Sequence, residues 1–163
     1  MDDFTRTAEA WLTKAVRPEI RDEARRWWTV HGSALLPLGT AFSAVRMPDR
    51  AVHRAAGCRC TVDEGACVLG AADVDEFLGR ALGGGPVICD PLYRRYYALV
   101  PPGRGTSTEG YLGEGTLLGV PRTDRVGPGR GAYWSVPVEP GGGLCDPAAV
   151  ARLVTVGTWA GAA

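Results

Sequence analysis

The chain has 163 residues, of which 45% are hydrophobic and 22% are charged. This length and composition are typical of one ordinary globular domain, which can bury a core without help from disulfides or metal. Lysine and arginine balance aspartate and glutamate, 18 against 18, so no global charge draws the chain to nucleic acid or to an anionic membrane, and any such binding must be local.

Apolar stretches, the first residues and the cysteines predict the cellular compartment of the protein. No stretch approaches the ~20 consecutive apolar residues that cross a bilayer, and the first residues lack the basic and apolar regions of a secretory signal. We therefore expect a cytoplasmic protein without a membrane partner. Five cysteines are an odd number, and in a reducing compartment we expect thiols or metal ligands rather than a disulfide framework.

Residues 1–31 predict a helical segment. Apolar residues recur at helical spacing from 4 to 15, and Pro18 then ends that helix or begins a second one. The charged residues of the second helix can stay in water and pair with one another. The side chains expected to face the core are Ile20, Ala24, Trp27 and Trp28.

Residues 32–163 predict a sheet with flanking helices. Alternating side chains have the period of two that half-buried strands show, and Asp or Pro can occupy the first turn of each later helix. The whole chain therefore predicts a single α+β domain, with helices packed on a mostly antiparallel sheet. We expect central strands at 33–38 and 40–47, hairpins within 85–102 and 115–138, and helices at 48–55, 73–82 and 148–154.

Several segments occur in an order that points to one family. GSALLPL at 32–38 is a glycine followed by a buried strand that ends in Pro-Leu, and Arg46-Met47-Pro48 follows it. RRYYALVP at 94–101 forms the next strand. The closing strands are GTLLGVP at 115–121 and Ala132-Tyr133-Trp134. In this order the segments resemble the N-terminal domain of actinobacterial and phage bifunctional DNA primase/polymerases.

The resemblance implies a prim-pol-like fold and raises the question of catalysis. Active members hold divalent metal with an Asp-x-Asp pair, as phosphoryl transfer requires, and Asp73 and Asp75 fall near the matching place. Acidic residues there also suit a helix N-terminus, so we interpret them as a vestigial pair. The family's sheet histidine, which contacts nucleotide phosphate, has no counterpart, because residues 93–97 occupy its place. We therefore expect no catalytic residues.

Local basic and aromatic residues are the candidate contacts for nucleic acid or for a phosphate group. Arginine binds phosphate and tyrosine can stack on bases, although a strand sends alternate side chains to opposite faces. The candidates are Arg94, Arg95, Tyr96, Tyr97, Arg122, Arg125 and Arg130.

A cysteine-rich segment at 57–72 offers a possible zinc site. His53, Cys58, Cys60 and Cys67 have the right donor chemistry. In extended chain, however, the Cys-x-Cys spacing points the two thiols in opposing directions. We expect a thiol-bearing loop with substoichiometric zinc, and a structural zinc site is the alternative.

The sequence thus favours a non-catalytic binding or regulatory protein without a resident cofactor, whose partner is nucleic acid, a nucleotide or another protein. One alternative is an active nucleotidyltransferase that uses Mg²⁺, which would require Asp73, Asp75 and Asp90 to converge on one metal. The other is a protein-interaction adaptor, which an uncharged and apolar sheet face would favour.

Overall fold

The computed structural model describes residues 3–59, 69–104 and 106–160. These ranges form the expected α+β architecture, with helices packed on antiparallel sheets. Among them, no helix combines the length and the apolar character needed to cross a membrane. The elements are α1 (Asp3–Leu12), α2 (Arg21–His31), β1 (Ser33–Pro37), β2 (Ser43–Pro48), α3 (Asp49–Ala55), α4 (Ala71–Ala81), β3 (Val87–Asp90), β4 (Arg95–Val100), β5 (Tyr111–Leu112), β6 (Leu117–Pro121), β7 (Tyr133–Val136) and α5 (Pro147–Trp159).

The strands divide into two sheets. Five strands form the larger sheet in the order β5-β2-β4-β3-β7, and β1 and β6 form a separate ribbon. The predicted hairpin within 85–102 is confirmed, since Val87 lies opposite Ala98. The prediction that β1 belongs to the central sheet is wrong, because β1 pairs only with β6.

The predicted hairpin within 115–138 is also wrong. Its two strands join different sheets, since β6 pairs with β1 and β7 pairs with β3. The connection between them is too long for a tight turn, and part of it runs beside β7. The backbone N–H of Trp134 donates to the Arg125 carbonyl over 2.7 Å. The backbone N–H of Gly127 donates to the Trp134 carbonyl over 3.2 Å. The connection thus covers the outer edge of β7.

Both faces of the larger sheet are buried. Along β4, Tyr96, Ala98 and Val100 point into a core that α3, α4 and α5 complete. Leu99 points to the opposite face, into a second core formed with α1, α2 and the β1–β6 ribbon. Strands with two buried faces leave little sheet surface for a ligand. Binding must therefore use the edges of the sheet and the loops.

The N-terminal helices cover one face through a narrower apolar stripe than the sequence predicts. Trp28 is buried, and its indole N–H donates to the Val120 carbonyl over 2.9 Å, which ties α2 to the ribbon. Ala24 is buried beside it. The prediction for Ile20 and Trp27 is wrong: they are 46% and 37% exposed. Ile20 lies in a 3-10 turn before α2, outside the helical periodicity on which the prediction rests.

The predicted cap of α5 is confirmed, whereas α4 begins at Ala71, before the predicted start, with Gly70 rather than Asp73 as its N-cap. The Asp146 carboxylate accepts a hydrogen bond from the Ala148 N–H over 3.1 Å, and Pro147 occupies the first turn of α5. Gly70 is the N-cap of α4, and its N–H donates to the Asp73 carboxylate over 3.0 Å. α5 runs on to Trp159, beyond the predicted end at 154.

The extra turn of α5 crosses α3 at very short range. Gly157 is buried there, and a Cβ at this position would overlap the carbonyl oxygen of Ala51. The missing side chain therefore sets the distance between the two helix backbones. Gly79, in the last turn of α4, would place a Cβ in open space.

We predict that Gly157→Ala destabilises the protein, because the added methyl must push α5 away from α3. Overpacking of this kind costs about 1–3 kcal/mol. Gly79→Ala is the matched control and should be neutral or stabilising by about 0.5–1 kcal/mol, as expected for a glycine replaced within a helix. Urea denaturation of both variants measures the difference. Equal stability of the two variants would contradict the tight crossing.

Candidate anion-binding groove

A groove opens where the end of β2 meets α3, α5 and the residues before β5. Arg46 of β2 is exposed, and its backbone N–H donates to the Gly110 carbonyl over 2.9 Å. Gly110 has a φ of 83°, and a Cβ there would overlap the Arg46 carbonyl oxygen. Only glycine allows this close approach without strain. It brings Glu109 to the wall of the groove.

Helix α3 supplies two more arginines. Arg50 and Arg54 are four residues apart, which places them on the same side of the helix. Two like charges at this spacing repel each other by a few tenths of a kcal/mol unless a counter-charge balances them. The last two turns of α5 complete the groove with Val154, Gly157 and Thr158. The short α3–α5 crossing thus holds that wall in place.

We call this cavity the arginine groove. Its volume is about 490 Å³, and its charged residues are three arginines and one glutamate. The ion pairs within the described ranges are Arg25–Asp22, Arg80–Glu76, Arg94–Asp49 and Arg122–Asp124, so none of them involves a groove arginine. Guanidinium groups present paired donors that match phosphate and carboxylate. The groove is lined by Arg46, Pro48, Arg50, Ala51, Arg54, Glu109, Gly110, Val154, Gly157 and Thr158.

A second group of polar side chains lies between the larger sheet and helices α3 and α4. The Tyr96 hydroxyl lies 3.4 Å from Nε2 of His53. The Ser135 hydroxyl donates a hydrogen bond to the Asp75 carboxylate. These contacts pair side chains of the sheet with side chains of the two helices. We call this group the buried polar cluster; its members are His53, Asp75, Cys89, Tyr96, Tyr133 and Ser135.

Burial shifts the pKa values of this cluster toward the uncharged forms of its groups. Burial raises the pKa of the Cys89 thiol, although the nearby Tyr133 and Tyr96 hydroxyls lower it in part. Burial also raises the pKa of Tyr96 and lowers that of His53. A thiol is nucleophilic only as the thiolate. Cys89 is therefore held in its unreactive form, and the cluster serves to join the helices to the sheet.

Each of the three aspartates named for a metal site accepts a hydrogen bond from another residue of the protein. Asp73 accepts from the Gly70 N–H at the start of α4, and Asp75 accepts from Ser135. Asp90 accepts from the Tyr93 N–H over 3.3 Å in the β3–β4 turn. Within the described ranges, no group of three or more His, Cys, Asp or Glu side chains is placed to hold a metal ion.

The candidate residues on β4 divide between the faces of the sheet. Tyr96 is 3% exposed and packs with α3 and α4, whereas Tyr97 packs partly against the opposite core. Arg94 has a φ of 54°, and its Nε donates to the Asp49 carboxylate over 2.8 Å. Arg95 is exposed at the start of the strand. Burial removes Tyr96 from any stacking role.

Two of the three candidate arginines after β6, Arg122 and Arg125, contact other residues of the protein. Two hydrogen bonds of 2.6 and 2.7 Å join Arg122 to the Asp124 carboxylate, and they lower the pKa of Asp124. The Arg125 guanidinium covers Gly32 at the end of α2, where a Cβ would overlap it. Arg130 is exposed. The register Cys89 to Tyr133 places the loop before β7 at the same end of the sheet as Arg94 and Arg95.

The possible zinc ligands are only partly described. His53 contacts Tyr96, as above. Cys58 is disulfide-bonded, which differs from the expected thiol or zinc ligand, whereas Cys89 and Cys145 are free and buried. Burial raises the pKa of Cys145 to about 12. Cys60 and Cys67 lie outside the described residues.

The groove arginines were missed as a site by the sequence reasoning. The sequence motifs include Arg46 only as part of the Arg46-Met47-Pro48 segment. The sequence does carry a signal, since Arg50 and Arg54 have helical spacing without an acid one turn away on the same helix. A spacing rule cannot reveal that a strand residue lies beside them. Only the packing of α3 against the end of β2 brings the three together.

Comparisons of this chain with protein-family models, with curated proteins and with solved structures give no match. The chemistry of the arginine groove must therefore be inferred from its own residues, their charge and their exposure.

We predict a pH-dependent contribution to stability from Asp75. Burial raises its pKa above the ordinary value of 3.8, so the folded state binds this proton more tightly than the unfolded state does. Stabilisation by the proton is complete below about 3.8 and is lost as pH rises through the folded pKa. Asp75→Asn can still accept from Ser135 but cannot ionise. The stability of the original protein relative to this variant should therefore fall as the pH rises above about 3.8.

Urea denaturation of both proteins across that pH range measures this effect. A stability difference that stays constant with pH would show that the Asp75 carboxyl is not perturbed by burial.

Proposed function

We propose that the protein is a non-catalytic binding or regulatory protein that holds a phosphate-bearing ligand, nucleic acid or nucleotide, in the arginine groove. The observation that carries this proposal is the set of three arginines, Arg46, Arg50 and Arg54, around one cavity without ion-pair partners among the described residues. The resemblance to the primase/polymerase N-terminal domain, in a degenerate form, belongs to the same proposal.

The charge of the groove supports an anionic ligand. Three arginines against one glutamate leave a local charge of +2 in a chain whose formal net charge is zero. Concentrated positive charge raises the affinity and the association rate of anions. Arginine binds phosphate through two parallel hydrogen bonds, which gives geometry as well as attraction. A bound phosphate would also relieve the repulsion between Arg50 and Arg54.

The position of the groove supports the same function. Helices and the ribbon bury both faces of the larger sheet. A ligand therefore needs a place at the margin. The groove lies at the edge of β2 that faces β5, beyond Ala44 and Val45, with which the short β5 pairs. Its volume of about 490 Å³ lies within the ordinary range of small-molecule sites.

The placement of the aspartates supports a role without phosphoryl transfer. That chemistry needs closely spaced carboxylates that are free to bind metal ions. Asp73 instead accepts a hydrogen bond from the Gly70 N–H at the start of α4, and Asp75 accepts one from Ser135 across the α4–sheet interface. The sequence also has tyrosines and arginines where active relatives of the proposed family carry the sheet histidine.

We predict that replacing the three groove arginines by alanine weakens phosphate binding at least tenfold, since each charge-assisted hydrogen bond contributes about 1.5–3 kcal/mol. Binding to a labelled single-stranded oligonucleotide is measured by fluorescence anisotropy, and binding to inorganic pyrophosphate by calorimetry. The original protein should bind the oligonucleotide with a Kd on the order of 10⁻⁶–10⁻⁴ M, weakening as salt rises.

The matched control replaces Arg26, Arg80 and Arg152, which are exposed and lie outside the groove. This variant loses the same total charge and should bind both probes within about twofold of the original protein. An equal loss in both triple variants would mean that the attraction is diffuse and that the groove is not a site.

We predict no template-dependent primer synthesis or extension with Mg²⁺ or Mn²⁺, because the aspartates that such a reaction needs hold the fold together instead. Incorporation of labelled nucleotides on a primed and an unprimed template measures this. Activity that disappears in both Asp73→Ala and Asp75→Ala, with folding intact, would identify the protein as an active nucleotidyltransferase.

A further inference from the structure

Among the described residues that line the arginine groove, Glu109 is the one acidic residue. Its carboxylate is exposed and makes no ion pair with the groove arginines within the described ranges. A carboxylate only accepts hydrogen bonds. A bare phosphate that enters among the arginines therefore meets repulsion from Glu109. A ligand gains from all four charged residues only if it carries hydrogen-bond donors beside its phosphate.

Sugar hydroxyls are donors of this kind. Carboxylates bind ribose hydroxyls in dinucleotide-binding sites while other groups hold the phosphate. We propose that the arginine groove binds a phosphorylated sugar with free hydroxyl groups, with the phosphate on Arg46, Arg50 and Arg54 and the hydroxyls on Glu109. This inference rests on the proposed function and names the class of ligand for the same site.

The rest of the lining fits a sugar better than a stacked base. The described lining residues include no aromatic side chain, and the apolar contacts come from Pro48, Ala51 and Val154. Binding of single-stranded nucleic acid commonly relies on aromatic platforms under the bases. The groove instead offers charged groups and small apolar surfaces in about 490 Å³, which suits one phosphorylated sugar, free or as part of a mononucleotide.

The test is Glu109→Gln, measured by calorimetry with two probes, ribose 5-phosphate and inorganic phosphate. Loss of the charge leaves a weaker, neutral acceptor for hydroxyls and removes a repulsion toward bare anions. We expect ribose 5-phosphate to bind about tenfold more weakly, since a charge-assisted hydrogen bond is replaced by a neutral one. Inorganic phosphate should bind equally well or several-fold more tightly. Glu139→Gln, an exposed residue outside the groove, is the control and should change neither affinity.

The two outcomes separate this inference from the proposed function. If Glu109→Gln changes the affinities for ribose 5-phosphate and inorganic phosphate in the same direction, or changes neither, Glu109 does not bind sugar hydroxyls. The sugar-phosphate inference is then wrong. The proposed function still stands in that case if the groove-arginine triple variant loses pyrophosphate binding. A 5′-mononucleotide used as a third probe should show the same weakening in Glu109→Gln as ribose 5-phosphate does. A mononucleotide affinity that does not depend on Glu109 would also overturn the inference.

Discussion

The alternation of side chains along β4 determines that both faces of the larger sheet must be covered by other elements. Because successive residues point to opposite faces, Tyr96 and Ala98 enter one core and Leu99 enters the other. Each face then needs a cover of helices or strands. α3, α4 and α5 cover one side, and α1, α2 and the β1–β6 ribbon cover the other. Polar groups that can meet a ligand are left to the margins, where the arginine groove lies.

Two glycines allow that margin to form. Gly110 lets the chain before β5 lie against the backbone of Arg46, and Gly157 lets the end of α5 lie against α3. In each case a carbonyl oxygen occupies the place where a Cβ would be. The groove walls are therefore fixed by backbone contacts rather than by long side chains. Rigid walls of this kind hold Arg46, Arg50, Arg54 and Glu109 in one small volume without direct ion pairs between them.

The buried polar cluster and the arginine groove use polar residues in opposite ways. In the cluster, hydroxyl, thiol, imidazole and carboxyl groups are matched to one another, and burial favours their uncharged forms. Such groups specify how helices dock on a sheet, because leaving any of them unpaired is costly. In the groove, the charged residues are exposed or half-buried and make no ion pairs among the described residues. A binding role therefore belongs to the groove, and a structural role to the cluster.

The sequence by itself determined the local elements. Capping residues such as Asp146 and period-two alternation in residues 95–100 predict α5 and β4, because these signals depend on neighbours in the chain. The class, helices on an antiparallel sheet, followed from the same signals. The pairing of β6 with β1 did not follow, because alternation predicts a strand without naming its partner. Ile20 and Trp27 were expected to be buried, because helical spacing alone does not show how wide a stripe the core covers.

The candidate site was decided by tertiary structure alone. Four of the residues chosen from the sequence, those at 94–97, are adjacent in the chain, and adjacency in a strand places Tyr96 and Tyr97 on opposite faces of the sheet. The residues that do share a cavity come from three different elements, and Glu109 is far from Arg46 and Arg54 in sequence. They meet because β2, α3 and the segment before β5 pack at one corner. Long-range packing is set by the burial of whole faces, and no short motif carries that information.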